Sequence, residues 1–597
     1  MTERTVLRNI LFPAEKVCTV DELYFRKKND NVKYSEADGF MDIHGAVSFD
    51  TYFNIFPVKK YLDYCDMGNV FLELSLCGKF KVSVYGVSAD REECVLTKSI
   101  VLYDKETFTL ELGAVFSEKY DNAYFTLYSD NGRFYSGKLV SERDSIQDVN
   151  IAVVICTFRR EKFLLENHAK ICAYLDKSDV FNSGNFHVYI VDNGRTLERD
   201  KTENSFVTLI PNENTGGSGG FTRGYYEAVH SGRNFTHILF MDDDIVLDCE
   251  MFLRVYSLLR IRSSDNKDLA VGGTMIKLSD RITQHEAGSF WDGKRHVSIG
   301  EGCDLTKRKD VLDTAYYPEG DYNAWWFYCF PSDWQEKYGY PLQFFIKEDD
   351  IEYSLRCAGR IAVLSGIAVW HDDFEGKYDG FQEYYIKRNE LIMTAVNDQK
   401  RYTLFQIRKL VLSVMRQTVY QRYFLADIIM RAYDDFLKGW EHFYNTDTTA
   451  LNKELMESCE PLIGDDELLE KYGVYFDKKK YDNACTEPEN LKKQVLTLNG
   501  YLIPVIFYKK DKDGFYITDL AKRRIVNFYK HKVVLHYDVS RRKGFVTKQK
   551  KSKLWGNIFR LIFKSIRFAI MYPSVCKGFK KNLGKLTGED IIKRTIK

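Results

Sequence analysis

The sequence predicts three folded regions in series: an N-terminal antiparallel β-sandwich, a central α/β domain and a C-terminal helical domain. Apolar and polar residues alternate over 71–88, 108–113 and 123–130, with Gly, Asp and Asn between them, which predicts the strands of the sandwich. From residue 151 onward, uninterrupted apolar runs separated by helical stretches predict buried parallel strands. From about residue 400, apolar residues at helical spacing predict helices.

These patterns set the predicted boundaries. At 597 residues the chain is long enough for several separate cores. Hydrophobic residues make up 45% of it and only 10 residues are proline, which is typical of folded chains rather than of long disordered tracts. We predict a β-sandwich domain over 1–148, the α/β domain over 149–398, the helical domain over 399–544 and a basic amphipathic segment over 545–597.

Cysteine usage and the N-terminus bear on the compartment. The 13 cysteines are scattered without any CxxC pair, so neither a disulfide framework nor a zinc site is expected, and a reducing compartment is favoured. The first residues lack a charged region leading into a long apolar run, so we expect no secretory signal. No uninterrupted apolar stretch approaches the roughly 18 residues of a spanning helix. The sequence therefore predicts a cytoplasmic protein.

The charge is distributed unevenly along the chain. Residues 541–597 hold 17 Lys or Arg against two Asp or Glu, a local charge of +15 in a chain whose net charge is +1. Such a tail could bind nucleic acid or an anionic membrane. Large apolar residues among the basic ones over 553–586 favour a helix that lies in a membrane surface and argue against nucleic acid, with a packed core helix as the alternative. The expected apolar contacts are Trp555, Ile558, Phe559, Leu561, Ile562, Phe563, Ile566 and Phe568.

Three consecutive aspartates, in MDDDI at 241–245, end a predicted strand at 236–247. In parallel sheets, ligands bind at the carboxyl ends of strands. Neighbouring carboxylates there repel each other and lose hydration unless a cation lies between them. Mg²⁺ or Mn²⁺ shared with substrate phosphates fits these oxygen ligands, so Asp242 and Asp244 are candidate metal ligands. A solvated turn or a helix N-cap is the alternative.

The run NTGGSGGFTRG at 214–224 contains four glycines within five residues, before a helical pattern. Because glycine has no side chain, the backbone of this run can approach a ligand closely, and the chain then enters a helix at its N-terminus. The run is therefore a candidate contact for a phosphate or a sugar. Neither a Walker A motif nor a dinucleotide fingerprint fits, because no GK[ST] follows and the run comes after the second strand. A flexible loop is the alternative.

A second acidic cluster occurs in KEDDIEYSLR at 347–356. A carboxylate within hydrogen-bond reach of a hydroxyl group can take its proton, so Asp350 or Asp349 is a candidate general base. A charged helix N-terminus, stabilised by the helix dipole, is the alternative.

Two further segments contain candidate site residues. In VWHDDF at 369–374, His371 follows an apolar run, and its imidazole could bind Mn²⁺ or serve as a structural hydrogen-bonding group. In DYNAWWFYCFP at 321–331, some rings are expected to pack in the core, while Trp325 or Trp326 could stack on a sugar face.

Together these motifs resemble the galactofuranosyltransferases of glycosyltransferase family two, particularly the galactan-polymerising members. The motifs that carry the resemblance, in order, are TFRR at 157–160, VDNG, NTGGSGGF, FMDDDI, the paired tryptophan, K-x-DD-x-x-Y-x-LR, WH, and YYIKRN at 384–389. The resemblance covers most of the chain and implies a GT-A fold for the central domain, between a β-sandwich and a helical C-terminal domain.

The resemblance also implies roles for individual residues. Asp242, Asp244 and His371 would hold the metal, and Asp350, with Asp349 as its neighbour, would be the general base. Residues implied at the donor are Thr157, Arg160, Asp192, Gly217, Ser218, Gly219, Asp242 and Asp243, and those at the acceptor are Trp325, Trp326 and Glu348. Glu348 departs from the polymerising relatives, which carry tryptophan there, so chain extension is left open.

The implied activity is inverting transfer of a sugar, dependent on Mn²⁺ or Mg²⁺, from a nucleotide-sugar donor to a lipid-linked cell-surface glycan. UDP-galactofuranose is the expected donor. A rhamnosyltransferase that uses dTDP-rhamnose and a noncatalytic glycan-binding scaffold are the alternatives. We expect a peripheral protein at the inner face of the cell membrane, where it contributes to cell-envelope polysaccharide, and leave a homo-oligomer open.

Overall fold

The computed structural model describes residues 2–28, 31–293, 295–357, 359–372, 380–397, 402–484, 491–508, 514–520 and 529–595. The chain forms two compact units. The first comprises Met1–Pro341, Asp350–Asp372 and Ile592–Lys597, and the second comprises Leu342–Asp349 and Asp373–Ile591.

An antiparallel sheet of seven strands begins the first unit. The strands are β1 Glu3–Asn9, β2 Arg26–Lys27, β3 Val32–Ser35, β4 Phe40–Ser48, β5 Asn69–Ser88, β6 Arg91–Glu111 and β7 Asn122–Arg143, with helix α1 Val58–Tyr64 between β4 and β5. The strand order is β2-β4-β7-β5-β6; β1 also pairs with β7, and β3 with β4. Along β5, Val70, Leu72, Leu74 and Leu76 are fully buried, as apolar alternation requires.

The predicted sandwich is corrected in one respect. These strands pair into one sheet rather than into two facing sheets. Strands β5 to β7 are 20 to 22 residues long, and the pairing of β5 with β7 shifts register between Gly78 and Lys81. Such irregularities bend a strand. The predicted run 108–113 overlaps the end of the long strand β6, which ends at Glu111. Exposed residues such as Tyr103 break the alternation before this run, so the pattern did not reveal the full length of the strand.

The α/β region follows in the same unit. Its strands are β8 Ile151–Thr157, β9 Phe186–Asp192, β10 Val207–Pro211, β11 His237–Asp242, β12 Ala270–Lys277, β13 Gln284–Glu286, β14 Ser289–Trp291, β15 His296–Ser298, β16 Phe327–Pro331 and β17 Ile361–His371. Its helices are α2 Glu161–Leu175, α3 Arg199–Thr202, α4 Gly216–His230, α5 Glu250–Ile261, α6 Arg308–Asp313, α7 Trp334–Tyr338 and α8 Asp349–Cys357. Short 3₁₀ turns occur at Asp21–Leu23, Ser264–Asn266 and Thr314–Tyr316.

The main sheet of this region has the order β10-β9-β8-β11-β16-β12-β13, with β17 paired to β12. Strands β10, β9, β8 and β11 run parallel. The register pairs Thr157 with Asp192 and Asp242 with Cys156. Three of the predicted site residues therefore lie along one edge of the sheet, at the carboxyl ends of their strands.

Buried hydrogen bonds join the N-terminal sheet to the α/β region. Arg254 on α5 donates to the carbonyl groups of Phe53, Gly366 and Asn9 at 2.8 to 2.9 Å. Arg8 on β1 donates to the carbonyl group of Ser365 at 2.7 Å. Buried guanidinium groups are costly unless their donors are paired, so these bonds fix the two parts together. The predicted boundary at 148–149 thus lies inside one compact unit.

The second unit is mainly helical. Its helices are α9 Gln382–Val396, α10 Thr403–Val419, α11 Tyr423–Leu437, α12 Trp440–Asn445, α13 Thr448–Glu457, α14 Asp465–Tyr472, α15 Lys478–Ala484, α16 Leu491–Leu496, α17 Lys551–Lys581 and α18 Leu583–Leu586, with a 3₁₀ turn at Val505–Phe507. The last helix, α19 Glu589–Thr595, begins in this unit and ends in the first. Four strands, β18 Ile463–Gly464, β19 Tyr516–Asp519, β20 Val533–Asp538 and β21 Lys543–Lys548, form a sheet of order β18-β21-β20-β19.

This small sheet was not predicted. Strand β20 is flanked on both sides and buried over most of its length, so it lacks the alternation by which strands are recognised. The predicted boundary at 544–545 falls within β21, and α9, placed by the sequence in the α/β domain, belongs to the second unit.

Helix α17 is part of the core of the second unit. Leu561, Phe568, Tyr572 and Phe579 are buried together with side chains of α10 and α11. The basic segment is therefore not an appendage. Among the described residues, no helix is long and apolar enough to cross a membrane.

Candidate active site and metal centre

Asp242, Asp244 and His371 meet at the edge of the main sheet. Asp242 ends β11, Asp244 lies in the turn that follows, and His371 ends β17. One ligand atom of each lies within 4.8 Å of the others. His371 Nε2 is 3.1 Å from Asp244 Oδ1 and 3.7 Å from Asp242 Oδ2.

Backbone pairing explains why these distant parts of the sequence meet. The N–H of Val246 donates to the carbonyl of Trp370 at 2.7 Å, and the N–H of Trp370 donates to the carbonyl of Val246 at 3.0 Å. This bridge fixes the turn after β11 beside the end of β17. His371 directly follows Trp370, so the imidazole ring of His371 lies beside Asp242 and Asp244.

The second ring nitrogen of His371 sets its orientation. Nδ1 lies 2.7 Å from the carbonyl oxygen of Asp372, which can only accept, so Nδ1 carries a hydrogen. In the neutral ring, the lone pair of Nε2 then faces Asp242 and Asp244, as a metal ligand requires. Burial lowers the pKa of His371, but the hydrogen bond to Asp244 and the charges of both aspartates outweigh it and raise the pKa above its ordinary value.

Asp243 points to a different set of partners. Its Oδ2 accepts a hydrogen bond of 2.6 Å from the Thr157 hydroxyl, and its Oδ1 is 3.4 Å from Arg160 Nη1. Burial raises the pKa of Asp243 to about 7, against the opposing effects of Thr157 and Arg160. Asp243 therefore anchors the turn to the end of β8, while its neighbours face His371.

The charges at this turn fit a divalent cation. Three carboxylates lie in succession at 242–244, and the Arg160 guanidinium pairs with those of Asp243 and Asp244. The Arg160 side chain is 46% exposed, whereas that of Asp244 is 11% exposed. Two carboxylates and an imidazole nitrogen match the donor preference of Mn²⁺, and the carboxylates also suit Mg²⁺.

Asp192 organises the turn after β9. Its carboxylate accepts hydrogen bonds from the backbone N–H groups of Gly194, Thr196 and Leu197 at 2.7 to 2.9 Å, and it is buried. The sequence did not predict that the Asp192 carboxylate would accept these backbone hydrogen bonds. The implied contact of Asp192 with the uridine portion of a donor stays a prediction.

The glycine-rich run forms the first turn of α4, not a flexible loop. Gly217, Ser218 and Gly219 follow Gly216, where the helix begins with a φ of 74°. A Cβ atom at Gly220 would collide with Cys156 Sγ on β8, so this glycine allows close packing. At Gly217, no atom of the described residues lies within 4 Å of the corresponding position. The helix N-terminus is thus open at Gly217, where its N–H groups have no partners within the helix.

Three asparagines hold these turns together, and the sequence reasoning missed them. Asn193 donates to the carbonyl of Gly216 at 2.9 Å and accepts from Asn212 at 2.8 Å. Asn167 on α2 donates to the carbonyls of Ile245 and Asp243 at 2.8 and 3.2 Å. A signal existed for Asn167, because it lies in line with the buried apolar residues of α2.

Both tryptophans of the paired motif lie in the core. The Trp325 ring makes edge contacts with Phe221 and Phe240, with centroids 5.5 and 4.9 Å apart. Trp326 Nε1 donates to the carbonyl of Gly273 at 2.8 Å. Each tryptophan is only 5% exposed. This burial favours the packing interpretation, and acceptor contact by either ring stays a prediction.

The second acidic cluster lies at the start of α8, as its pattern predicted. The helix begins at Asp349, and Asp350 Oδ1 accepts from the N–H of Ile351 at 2.8 Å. Lys347 and Glu348 precede the helix with φ values of 69° and 67°. Glu348 is therefore outside the helix, and helical geometry relates only Asp349 and Asp350.

Comparisons with known proteins agree with these motifs. Residues 7–129 match the family model of the galactofuranosyltransferase 2 N-terminal region, and residues 152–301 match the model of glycosyl transferase family 2. A galactofuranosyltransferase GlfT2 of Mycobacterium tuberculosis is 27% identical over 491 residues, which cover 75% of this chain and 74% of the relative. The GlfT2 of Mycolicibacterium smegmatis is 25% identical over 485 residues, covering 75% and 73%.

A carbohydrate-binding module of family 29 matches with a TM-score of 0.15 and 17% identity over 24% of this chain and 89% of its own, which is too low to carry an argument. Both family models and both relatives are glycosyltransferases by name. The chain is therefore a glycosyltransferase, and it is similar to the galactofuranosyltransferases of family two.

Proposed function

We propose that the protein transfers galactofuranose from UDP-galactofuranose to a lipid-linked glycan, in a single displacement that inverts the anomeric centre. A glycosyltransferase needs a nucleotide-sugar donor and a glycan acceptor, and two relatives of similar length are galactofuranosyltransferases. The observation that carries the proposal is the meeting of Asp242, Asp244 and His371 at the carboxyl ends of the strands.

These three residues would hold Mn²⁺ or Mg²⁺. A bound cation would neutralise the negative charge that develops on the departing nucleoside diphosphate. The orientation of His371 by the Asp372 carbonyl leaves the nitrogen that faces the aspartates free of hydrogen in the neutral ring. The chain's contribution is a set of ligands whose positions are fixed before the metal arrives.

Donor binding is assigned to the residues around this centre. Arg160 has a partly exposed guanidinium, which would pair with a phosphate of the donor. Thr157 and Asp243 keep the turn in place. The open first turn of α4, with Gly217, Ser218 and Gly219, would offer backbone N–H groups to an anionic donor. Asp192 is the proposed contact of the uridine portion.

Asp350 is the proposed general base. It takes the proton from the acceptor hydroxyl as that oxygen attacks the anomeric carbon, on the face opposite the leaving nucleotide. Asp349 is the alternative base, because it is adjacent and also half-buried at the start of α8. Trp325, Trp326 and Glu348 are the candidate acceptor contacts.

A donor panel tests the reaction. The full-length protein is incubated with Mn²⁺, a lipid-linked acceptor and, in turn, UDP-galactofuranose, UDP-galactopyranose and dTDP-rhamnose. Nucleotide release and product mass should show transfer from UDP-galactofuranose. Transfer from dTDP-rhamnose alone would make the protein a rhamnosyltransferase, and no release from any donor would favour a glycan-binding scaffold.

The second part of the proposal concerns the membrane. Trp555, Phe559, Phe563, Ile566 and Ile570 are exposed on α17, with exposed fractions of 51% to 74%. At 100° per residue, these side chains and the equally exposed Ile562 fall within an arc of about 100°. Leu561 and Phe568, which the sequence counted among the membrane contacts, lie instead in the core.

This apolar stripe, residues 555, 559, 562, 563, 566 and 570, is the proposed membrane contact. Basic residues follow it closely, including Lys577, Lys580 and Lys581. A helix with one exposed apolar face and nearby cations binds an anionic membrane surface without spanning it. Soluble proteins rarely expose large contiguous apolar patches, so a stripe of this length indicates a contact site.

Vesicle flotation tests the stripe. Phe559→Ser combined with Phe563→Ser should abolish binding to vesicles that contain phosphatidylglycerol, without loss of the folded core, because both side chains are exposed. Leu404→Ser, which removes an exposed apolar side chain of α10, is the matched control and should bind like wild type. Unchanged flotation of the double variant, with an altered molecular mass in solution, would assign the stripe to an oligomer contact instead.

A further inference from the structure

The segment before α8 has a strained backbone. Phe345, Lys347 and Glu348 have φ values of 75°, 69° and 67°. Residues other than glycine avoid this left-handed region because their Cβ atoms approach a carbonyl oxygen too closely. Three such residues within four positions persist only if the surrounding structure holds them. The three residues that follow Lys347 are Glu348, Asp349 and Asp350.

Asn389 on α9 lies within hydrogen-bond distance of three carbonyl groups of this segment. Its Nδ2 lies 2.9 Å from the carbonyl oxygen of Ile346, 3.0 Å from that of Lys347 and 3.4 Å from that of Phe344. Asn389 is fully buried, so water does not compete for these bonds. A primary amide has two N–H donors, and the two short distances account for both.

Arg388 determines which end of the Asn389 amide faces the segment. Its Nε donates to Asn389 Oδ1 at 3.0 Å, and its Nη2 donates to the carbonyl of Phe344 at 3.0 Å. Because a guanidinium can only donate, the amide oxygen must face Arg388 and the amide nitrogen must face the carbonyls. The orientation of Asn389 therefore follows from its neighbour.

Aromatic rings fix Arg388 and the segment in turn. The Arg388 guanidinium lies over the rings of Tyr384, Tyr385 and Phe443, at 5.2 to 5.3 Å from each centroid. The Tyr385 ring also stacks on Phe345, with centroids 5.3 Å apart and planes inclined by 19°. The YYIKRN motif at 384–389, to which no chemistry was assigned, thus contacts the segment through three of its residues.

We infer that Asn389, oriented by Arg388, is a positioning residue for the general base. It holds the backbone of residues 344–347, in which Phe345 and Lys347 are left-handed, just before α8 starts at Asp349, and so determines the direction in which Asp349 and Asp350 leave the backbone. The inference rests on the proposed function in one respect, namely that the base is one of these two aspartates.

A purely structural role for the motif makes a different prediction, which a matched control separates. Tyr384→Phe, on the same helix as Asn389, removes a buried hydrogen bond of 2.8 Å from the Tyr384 hydroxyl to Asp435 and keeps the ring over which the Arg388 guanidinium lies. Asn389→Asp keeps the size of the side chain but replaces its donors by an oxygen that repels the carbonyls. Both variants lose buried hydrogen bonds of α9, but only the second affects the segment.

The full-length protein is tested by two measurements. Hydrogen exchange, followed by mass spectrometry, should be faster in peptides covering 344–351 of Asn389→Asp and unchanged there in Tyr384→Phe. Turnover of Asn389→Asp should fall by at least about tenfold, because small displacements of a catalytic group are costly, while affinity for UDP with Mn²⁺ stays within about twofold of wild type.

Exchange in 344–351 that equals wild type in Asn389→Asp, or that rises equally in Tyr384→Phe, would overturn the inference. So would altered exchange with normal turnover. If wild type transfers sugar from no donor, the proposed function fails, whereas the exchange measurement still decides whether Asn389 holds the segment.

Discussion

The two acidic clusters of this protein are built differently. At 242–244, every carboxylate has a named partner from another part of the sheet: His371 for Asp242 and Asp244, and Thr157 for Asp243. At 348–350, the carboxylates stand where a left-handed segment turns into a helix. Runs of aspartates can therefore be positioned in different ways. In the first cluster, side-chain partners bring two carboxylates to one point, whereas in the second cluster the backbone conformation before the helix sets the directions of the carboxylates.

The largest expected effect concerns the first cluster. Removal of divalent cations with EDTA should stop transfer completely, and added Mn²⁺ or Mg²⁺ should restore it, because the ligands converge on a cation and donor phosphates complete its shell. Nucleotide release is the measurement. Undiminished transfer in EDTA would reduce the cluster to a structural turn and remove its contrast with the second.

The next effect concerns the second cluster. Asp350→Asn preserves size and hydrogen bonding but removes basicity, so turnover should fall by ~10²- to 10⁴-fold while affinity for UDP with Mn²⁺ stays near wild type. Asp349→Asn and Glu348→Gln serve as parallel variants. Wild-type turnover of Asp350→Asn beside an inactive Asp349→Asn would move the base by one residue, and full activity of all three would place it elsewhere.

A smaller effect sharpens the account of Asp243. Thr157→Val removes the hydroxyl donor of a buried carboxylate, and the free energy of unfolding should fall by about 1–3 kcal/mol. Thr208→Val on β10 is the control. It loses a bond of 2.8 Å to His187, whose pKa burial and Arg233 lower to about 4, and a neutral partner should cost only about 0.5–1.5 kcal/mol. Equal losses in urea unfolding would contradict a special role for Thr157.

The sequence was most informative where structure follows from a local pattern. The apolar runs before Thr157, Asp192 and Asp242 predicted three parallel strands, and the carboxyl ends of those strands carry site residues. The start of α8 at the second cluster was also predicted. These features depend on residues that are close in the sequence, so periodicity and strand ends suffice to find them.

What the sequence missed depends on tertiary partners. Nothing local indicates that Asp192 is surrounded by three backbone N–H groups, or that Asn389 bonds to carbonyls more than 40 positions away. The sheet of β18 to β21 was missed because its inner strand is buried without alternation. The pairing of all seven N-terminal strands into one continuous sheet was not predicted, because alternation reports which face of a strand is buried and not which strands pair.

The central claim, that Asp242, Asp244 and His371 form the metal centre of the donor site, is tested most directly by Mn²⁺ binding in the presence of UDP. Titration calorimetry on the full-length wild type should detect one Mn²⁺ per chain. Asp244→Ala and His371→Ala should lose this binding, while Asp350→Asn keeps it. Mn²⁺ binding of equal affinity in wild type and Asp244→Ala would contradict the account, because the cation would then lie elsewhere.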